Sequence, residues 1–258
     1  MKVLILAGGT GGHVYPALSV AKEFKRNKFS ISWIGKKDSL ESTFSKSESF
    51  HFISLDTKGF KGKNLLGKIV SLIYLEINVI KSIFIIKKIK PDIVFSTGGY
   101  VTLAPALASL ILSIPLFIHE QNSVPGLVNR ILNRFSKLSF EAFPGSFNKS
   151  PKIHTVGNPV RSEIIKNPEP ETTMKEHFNI LILGGSQGSK QLNEIVLKAF
   201  QDKIIPSHWR IVHQIGDLDK SKLVDVYSKQ SFSYEVASYI EDIGKAYHES
   251  DLVIGRSG

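Results

Sequence analysis

The 258-residue chain has no cysteine. Disulfides and cysteine-ligated metal sites are thereby excluded, and the composition suits a reducing compartment. Acidic residues are scarce in the first part of the chain. Residues 1–160 hold 21 Lys and Arg against 9 Asp and Glu, a net charge of +12, whereas residues 161–258 hold 12 against 14, a net −2. A basic excess attracts nucleic acid, anionic lipid or phosphorylated substrates and says nothing about fold. Long hydrophobic runs are also lacking. The apolar start is only seven residues and runs into glycines, unlike a signal peptide. Val101–Ile118 is uncharged for eighteen residues, the length at which a spanning helix is considered. Pro105 and Pro115 divide it, however, and it reads as a buried helix Ala104–Leu112 and a strand Pro115–Ile118.

Several common ligand motifs are missing. From Gly9 the chain reads GTGGHV, with Val14 where a dinucleotide fold wants Gly or Ala. The second strand, ISWIG, ends at Gly35 and is followed by Lys36 and Lys37, not by an acid for a ribose. In GGSQGSK the spacing before Lys190 is too short for a Walker A loop, and there is no H-E-x-x-H. These absences argue against NAD binding and exclude a P-loop and a zinc protease. No metal site and no cofactor are expected.

What is present is a repeated strand, glycine turn and helix. Met1–Ala7 is apolar, Gly8–Gly12 reads GGTGG, and Val14, Ala17, Leu18, Ala21 and Phe24 follow at helical spacing. Glycine lets a ligand approach the backbone, and the free N–H groups of the helix start suit a phosphate. Phe178–Phe200 repeats the pattern, and Ile93–Leu112 is a third version. One such turn is as readily structural as functional. Two, each heading its own part of the chain, predict two nucleotide-binding α/β halves, with the boundary near Pro159, Pro168 and Pro170.

Other segments carry candidate chemistry. His119-Glu120-Gln121-Asn122 follows the strand Pro115–Ile118, where open parallel sheets bind ligands. His119 and Glu120 are candidates for acid–base or sugar contacts; Asn122–Gly126 is equally a turn and helix start. Asn64–Lys90 is aliphatic but broken by lysines, with no uncharged run above seven residues. It predicts a core-packed helix with an apolar, lysine-edged outer face suited to a membrane surface. Asp56–Gly67 reads as a solvated loop. The last residues, Gly255–Gly258, form a turn after a strand, where a βα unit would continue, so the second half is expected to be incomplete.

Taken together, GGTGGHVYPALSVA, STGGYVTLAPALAS, HEQNSVPGLVNR, VGNPVR, GGSQGSKQLN, HQIG, YIEDI and DLVIGRSG resemble the MurG family in order and along the whole chain. These are the undecaprenyldiphospho-muramoylpentapeptide β-N-acetylglucosaminyltransferases of bacterial peptidoglycan synthesis. The resemblance implies a GT-B fold: two Rossmann-like domains, residues 1–160 and 161–258, with parallel sheets facing a cleft. It implies UDP-N-acetylglucosamine as donor, lipid I as acceptor and lipid II as product, with inversion and no bound metal. It implies a peripheral place on the cytoplasmic face of the bacterial inner membrane, on an anionic surface, and other cell-wall synthesis and division proteins as partners. Nucleic acid is not expected.

By the same motifs, Thr10, Gly11, Gly12, Asn122, Arg161, Ser186 and Ile240 are implied donor contacts, Ile240 through its backbone. His13 is the first candidate base for the acceptor hydroxyl, Glu120 the second, and Tyr100 helps to place the acceptor. The family continues after RSG with a ribose-binding Glu and a sugar-binding Gln that lie beyond Gly258. A related UDP-sugar enzyme of the same fold and an inactive membrane-binding fragment remain as alternatives.

Overall fold

The computed structural model describes residues 1–56, 65–165, 176–185, 188–201 and 205–255. Two units, Met1–Arg161 and Ser162–Gly258, each have their own core. Arg161 thus ends the first unit, although the prolines place it at the head of the second.

In the first unit, β1 (Lys2–Ala7), α1 (Gly11–Arg26), β2 (Ser30–Gly35), α2 (Leu40–Ser47) and β3 (His51–Ser54) come first. Then follow α3 (Leu65–Ile89), β4 (Ile93–Gly98), a 3-10 turn (Tyr100–Thr102), α4 (Leu103–Ile111), β5 (Leu116–Glu120), α5 (Leu127–Leu132), β6 (Leu138–Glu141) and β7 (Ile153–Thr155). The seven strands are parallel in the order β3-β2-β1-β4-β5-β6-β7. β1 is an interior strand buried on both faces, which is why it reads as an unbroken apolar run. Its pleat splits the core. Val3, Ile5 and Ala7 pack with Val14, Ala17, Ala21 and Trp33. Leu4 and Leu6 pack with Ile34, Ile86, Ala104 and Leu116 on the other side. Each such aliphatic side chain contributes roughly 1.5–3 kcal/mol by leaving water.

The second unit comprises α6 (Ser162–Ile165), β8 (Phe178–Leu183), α7 (Lys190–Gln201), β9 (Trp209–Gln214), α8 (Ser221–Ser228), β10 (Ser233–Ala237), α9 (Ile243–Glu249) and β11 (Leu252–Gly255). Its parallel sheet runs β10-β9-β8-β11. Ile180 and Ile182 pack against Val196, Phe200 and Tyr227. The α/β class with parallel sheets is as the sequence predicts.

Local boundaries differ in instructive ways. Asp38–Ser49 resolves as α2, fixed by a reciprocal cap between Ser39 and Ser42. β5 does not stop at Ile118: it runs on through His119 and Glu120, because β6 pairs with it as far as Glu120 opposite Glu141. α8 was not expected from the sequence; it buries Leu223 and Tyr227 on one face. Most of the Asp56–Gly67 loop lies outside the described residues.

One close contact fixes the first unit's upper rim. Gly99 has φ +94°, and a Cβ there would stand 2.0 Å from the Gly8 carbonyl oxygen. Gly145 has a similar φ of +87° with open space around it. Gly99→Ala is therefore expected to destabilise the first unit by about 2 kcal/mol or more, and Gly145→Ala by only about 1 kcal/mol. Urea unfolding followed by Trp33 fluorescence checks the difference.

Candidate active site

Strand order reverses between β1 and β4, the point at which an open parallel sheet leaves a crevice beyond its strand ends. Gly8–Thr10 after β1 and Gly99–Tyr100 after β4 emerge there, and Gln121 after β5 and Arg161 after β7 reach the same helix through His13 and Tyr15.

Thr10 stands at the N-cap of α1 in extended backbone, and no side chain caps the helix. The first turn holds no acidic residue. Within the helix the backbone pairing begins with His13 and Val14, both donating to the Thr10 carbonyl. Among the described residues no acceptor takes the Gly11 or Gly12 N–H, an arrangement that suits an anion. Gly12 is exposed, and a Cβ on it would meet nothing closer than Thr10 Oγ1 at 3.7 Å.

His13 lies half-buried one turn into the helix. Its Nδ1 is 2.8 Å from the Thr97 carbonyl oxygen and 2.9 Å from Gln121 Oε1. The Thr97 hydroxyl in turn donates to the His13 carbonyl at 2.8 Å. Because a carbonyl only accepts, Nδ1 carries the hydrogen, and the neutral ring keeps its lone pair on Nε2.

Glu120 is fully buried. One carboxylate oxygen accepts from the Asn122 backbone and side-chain N–H groups, both at 3.0 Å. The other accepts from the Gly126 N–H and from Asn129 Nδ2, again at 3.0 Å. This carboxylate closes the 120–126 turn and seats α5. Asn122 keeps its side-chain oxygen uncommitted by that grip. Arg161 stacks its guanidinium 4.5 Å from the centre of the Tyr15 ring, which places the cation over the first helix. Tyr100 is half-buried after Gly98–Gly99, and burial pushes its hydroxyl pKa up.

In the second unit the turn after β8 opens with Gly184–Gly185. A Cβ on Gly188 would stand 1.9 Å from the Ile215 carbonyl oxygen, so glycine is required where this turn passes β9. Ser186 lies outside the described residues. The Ile240 N–H donates to Gln214 Oε1 at 2.9 Å. Gln214 Nε2 donates to the Gly185 carbonyl at 3.1 Å, so this one side chain spans both loops. Sequence reasoning gave no role to Gln121, Thr97 or Gln214. The available signal was a polar residue at the end of a buried strand. Among the described residues no cluster of three or more His, Asp or Glu could hold a metal ion.

Two α/β units, each with a parallel sheet and a glycine turn after its first strand, have the architecture of the GT-B class. The comparisons narrow this: residues 3–140 match the glycosyltransferase family 28 N-terminal domain and residues 179–258 its C-terminal domain. The chain belongs to glycosyltransferase family 28. It is 37% identical over 260 residues to a Coxiella burnetii UDP-N-acetylglucosamine–N-acetylmuramyl-(pentapeptide) pyrophosphoryl-undecaprenol N-acetylglucosamine transferase, covering all of this chain and 72% of that protein. A protein of the same name from Wigglesworthia glossinidia brevipalpis is 39% identical over 266 residues with the same coverage. The crystal structure of Acinetobacter baumannii MurG superposes with a TM-score of 0.76 at 34% identity, covering 100% of this chain and 74% of that one. A Neisseria meningitidis UDP-GlcNAc 2-epimerase, at 15% identity and a TM-score of 0.66, shares the fold alone.

One buried histidine away from these loops sets a pH dependence. His213 is fully buried between the Tyr227 hydroxyl (3.0 Å) and Asn193 Oδ1 (3.2 Å), and burial pushes its pKa down to about 4. Between that value and the ordinary 6.5 the unfolded chain holds a proton that the folded one refuses. Stability of the second unit is therefore expected to be full above about pH 6.5 and to fall as pH drops toward about 4, by roughly 3 kcal/mol in all. Denaturation of a Trp33→Phe protein, followed through Trp209, checks this, and His213→Gln should flatten the slope.

Proposed function

We propose that this chain transfers N-acetylglucosamine from UDP-N-acetylglucosamine to the 4-hydroxyl of the muramoyl-pentapeptide of lipid I, giving lipid II with inversion. Family membership supports the transferase reading. The observation that carries the mechanism is the His13 imidazole beside the first glycine loop, anchored through Nδ1 to the Thr97 carbonyl oxygen and Gln121 Oε1. In the reaction the acceptor oxygen attacks the anomeric carbon, the bond from that carbon to the β-phosphate oxygen breaks, and UDP leaves. The acceptor proton passes to His13 Nε2.

Thr10, Gly11, Gly12, Asn122 and Arg161 serve the donor from the first unit. Unpaired N–H groups and the forked guanidinium suit phosphate oxygens. Ser186 and the Ile240 carbonyl serve it from the second, and Tyr100 helps place the acceptor. Glu120, with both oxygens committed to four donors, holds Asn122 in place, which favours His13 over it as the base. Turnover of wild type and His13→Ala with UDP-N-acetylglucosamine and a lipid I analogue is the test. The variant is expected to lose about 10²–10⁴-fold in kcat while still binding the donor. Unchanged turnover removes His13 from the role.

The same unit suits a peripheral position on an anionic membrane. No described helix is long and apolar enough to cross one. α3 instead exposes Ile73, Ile77, Ile80 and Phe84 in one stripe, Phe84 at 69%. α5 and its approach expose Val124, Leu127, Ile131 and Phe135 beside Arg130, Arg134 and Lys137. Both helices pack against α4, on the same face of the sheet. Each lysine near an anionic leaflet adds about 1 kcal/mol. Reversing Lys87 and Lys88 to Glu is expected to weaken binding to phosphatidylglycerol vesicles at least about tenfold. Equal sedimentation with vesicles would count against the membrane reading.

A further inference from the structure

His13 does not stand alone: a line of hydrogen bonds runs from it through Gln121 and His119 to the backbone after β7. The two ends of the line are carbonyl oxygens, which only accept. At one end Thr97, on β4, accepts from His13 Nδ1 at 2.8 Å. At the other, the Gly157 carbonyl stands 2.9 Å from His119 Nε2. These two fixed points determine every proton between them.

With a hydrogen on His13 Nδ1, the Gln121 atom 2.9 Å away must be the amide oxygen. The amide nitrogen then faces the other way. It lies 2.8 Å from the His119 carbonyl oxygen and 3.0 Å from His119 Nδ1. That nitrogen must therefore be bare, which leaves the His119 hydrogen on Nε2, where Gly157 accepts it. Turning the amide over would set N–H against N–H at His13 and oxygen against oxygen at His119. Gln121 and His119 are both buried, 7% and 2% exposed, so water does not rescue the wrong arrangement. The Gln121 backbone carbonyl is itself held by Asn158 Nδ2 at 3.2 Å.

We infer that Gln121 is a positioning residue for His13, locked by His119 and the Gly157 carbonyl so that the His13 ring is held with Nδ1 protonated and Nε2 bare. Its value for catalysis rests on the reading of His13 as the base; the proton arrangement itself does not. Burial holds the His119 pKa below the ordinary histidine value, against the smaller opposing pull of the Gly157 carbonyl and the Glu120 charge, which keeps Nδ1 bare at neutral pH. A buried cluster kept only for stability would be satisfied by any consistent set of partners. The relay requires the two histidines to adopt opposite tautomers.

The test uses the whole chain labelled with ¹⁵N-histidine, read by multiple-bond ¹H–¹⁵N correlation at pH 8, with His13→Gln and His119→Gln to assign the signals. The expected result is Nδ1–H on His13 and Nε2–H on His119. Any other pair of tautomers overturns the proposal. Gln121→Glu supplies a second arm. A carboxylate facing His13 raises its titration midpoint by about 1–3 pH units. A folded variant, judged by its amide spectrum, whose His13 midpoint stays within about 0.3 unit of wild type also overturns it, since a side chain facing His13 at this distance must shift it. A third arm is kinetic: Gln121→Leu is expected to lower kcat about ten- to hundredfold with KM for the donor little changed. Unchanged kcat there overturns the positioning role. Correct tautomers with an active His13→Ala would instead leave the relay standing and dismiss His13 as the base.

Discussion

Two glycine turns meet beyond the centre of the first sheet, where the Gly8 carbonyl and Gly99 pass with no room for a side chain between them. That approach is possible because β1 and β4 are neighbours and both end there. It brings the start of α1 beside the end of β4, and so His13 within reach of Thr97. The position of the imidazole thus follows from backbone packing before any side-chain network is added. A substituent on Gly99 would push apart the two strands whose ends form the site, whereas one on Gly8 would meet the Glu41 and Val101 side chains.

The sequence made part of this legible. An unbroken apolar strand, a glycine turn and a helical repeat have short-range signatures, and MKVLILA-GGTGG-HVYPAL carries all three. The family followed from motifs whose order survives along the chain. Other parts were hidden because they depend on long-range pairing. His119 and Glu120 looked like loop residues, since nothing local says that β6 will extend β5 by two residues. Gln121 and Gln214 looked like ordinary polar residues at strand ends, because the partners that give them a role, His13 for one and Gly185 and Ile240 for the other, come from other segments of the chain. Glu120 read locally as an acid–base candidate, and only the fold shows four donors converging on it.

The charge distribution has its own logic. The first unit carries the basic excess and also the helices α3 and α5, which leave aliphatic and aromatic side chains in solvent. Apolar exposure by itself invites aggregation, and positive charge by itself binds any polyanion. In the proposed peripheral position each limits the other: the charge would keep copies of the chain apart, and the apolar stripe would suit a surface with both headgroups and hydrocarbon.

Gln214 draws a different consequence from the second unit. Its amide touches Gly185 with one end and Ile240 with the other, so its length sets the distance between two loops. The loops then share one degree of freedom. A side chain one methylene shorter would have to abandon one partner, and the loop released would drift independently of its neighbour. The amide works as a gauge block, fixing a spacing that neither loop specifies alone.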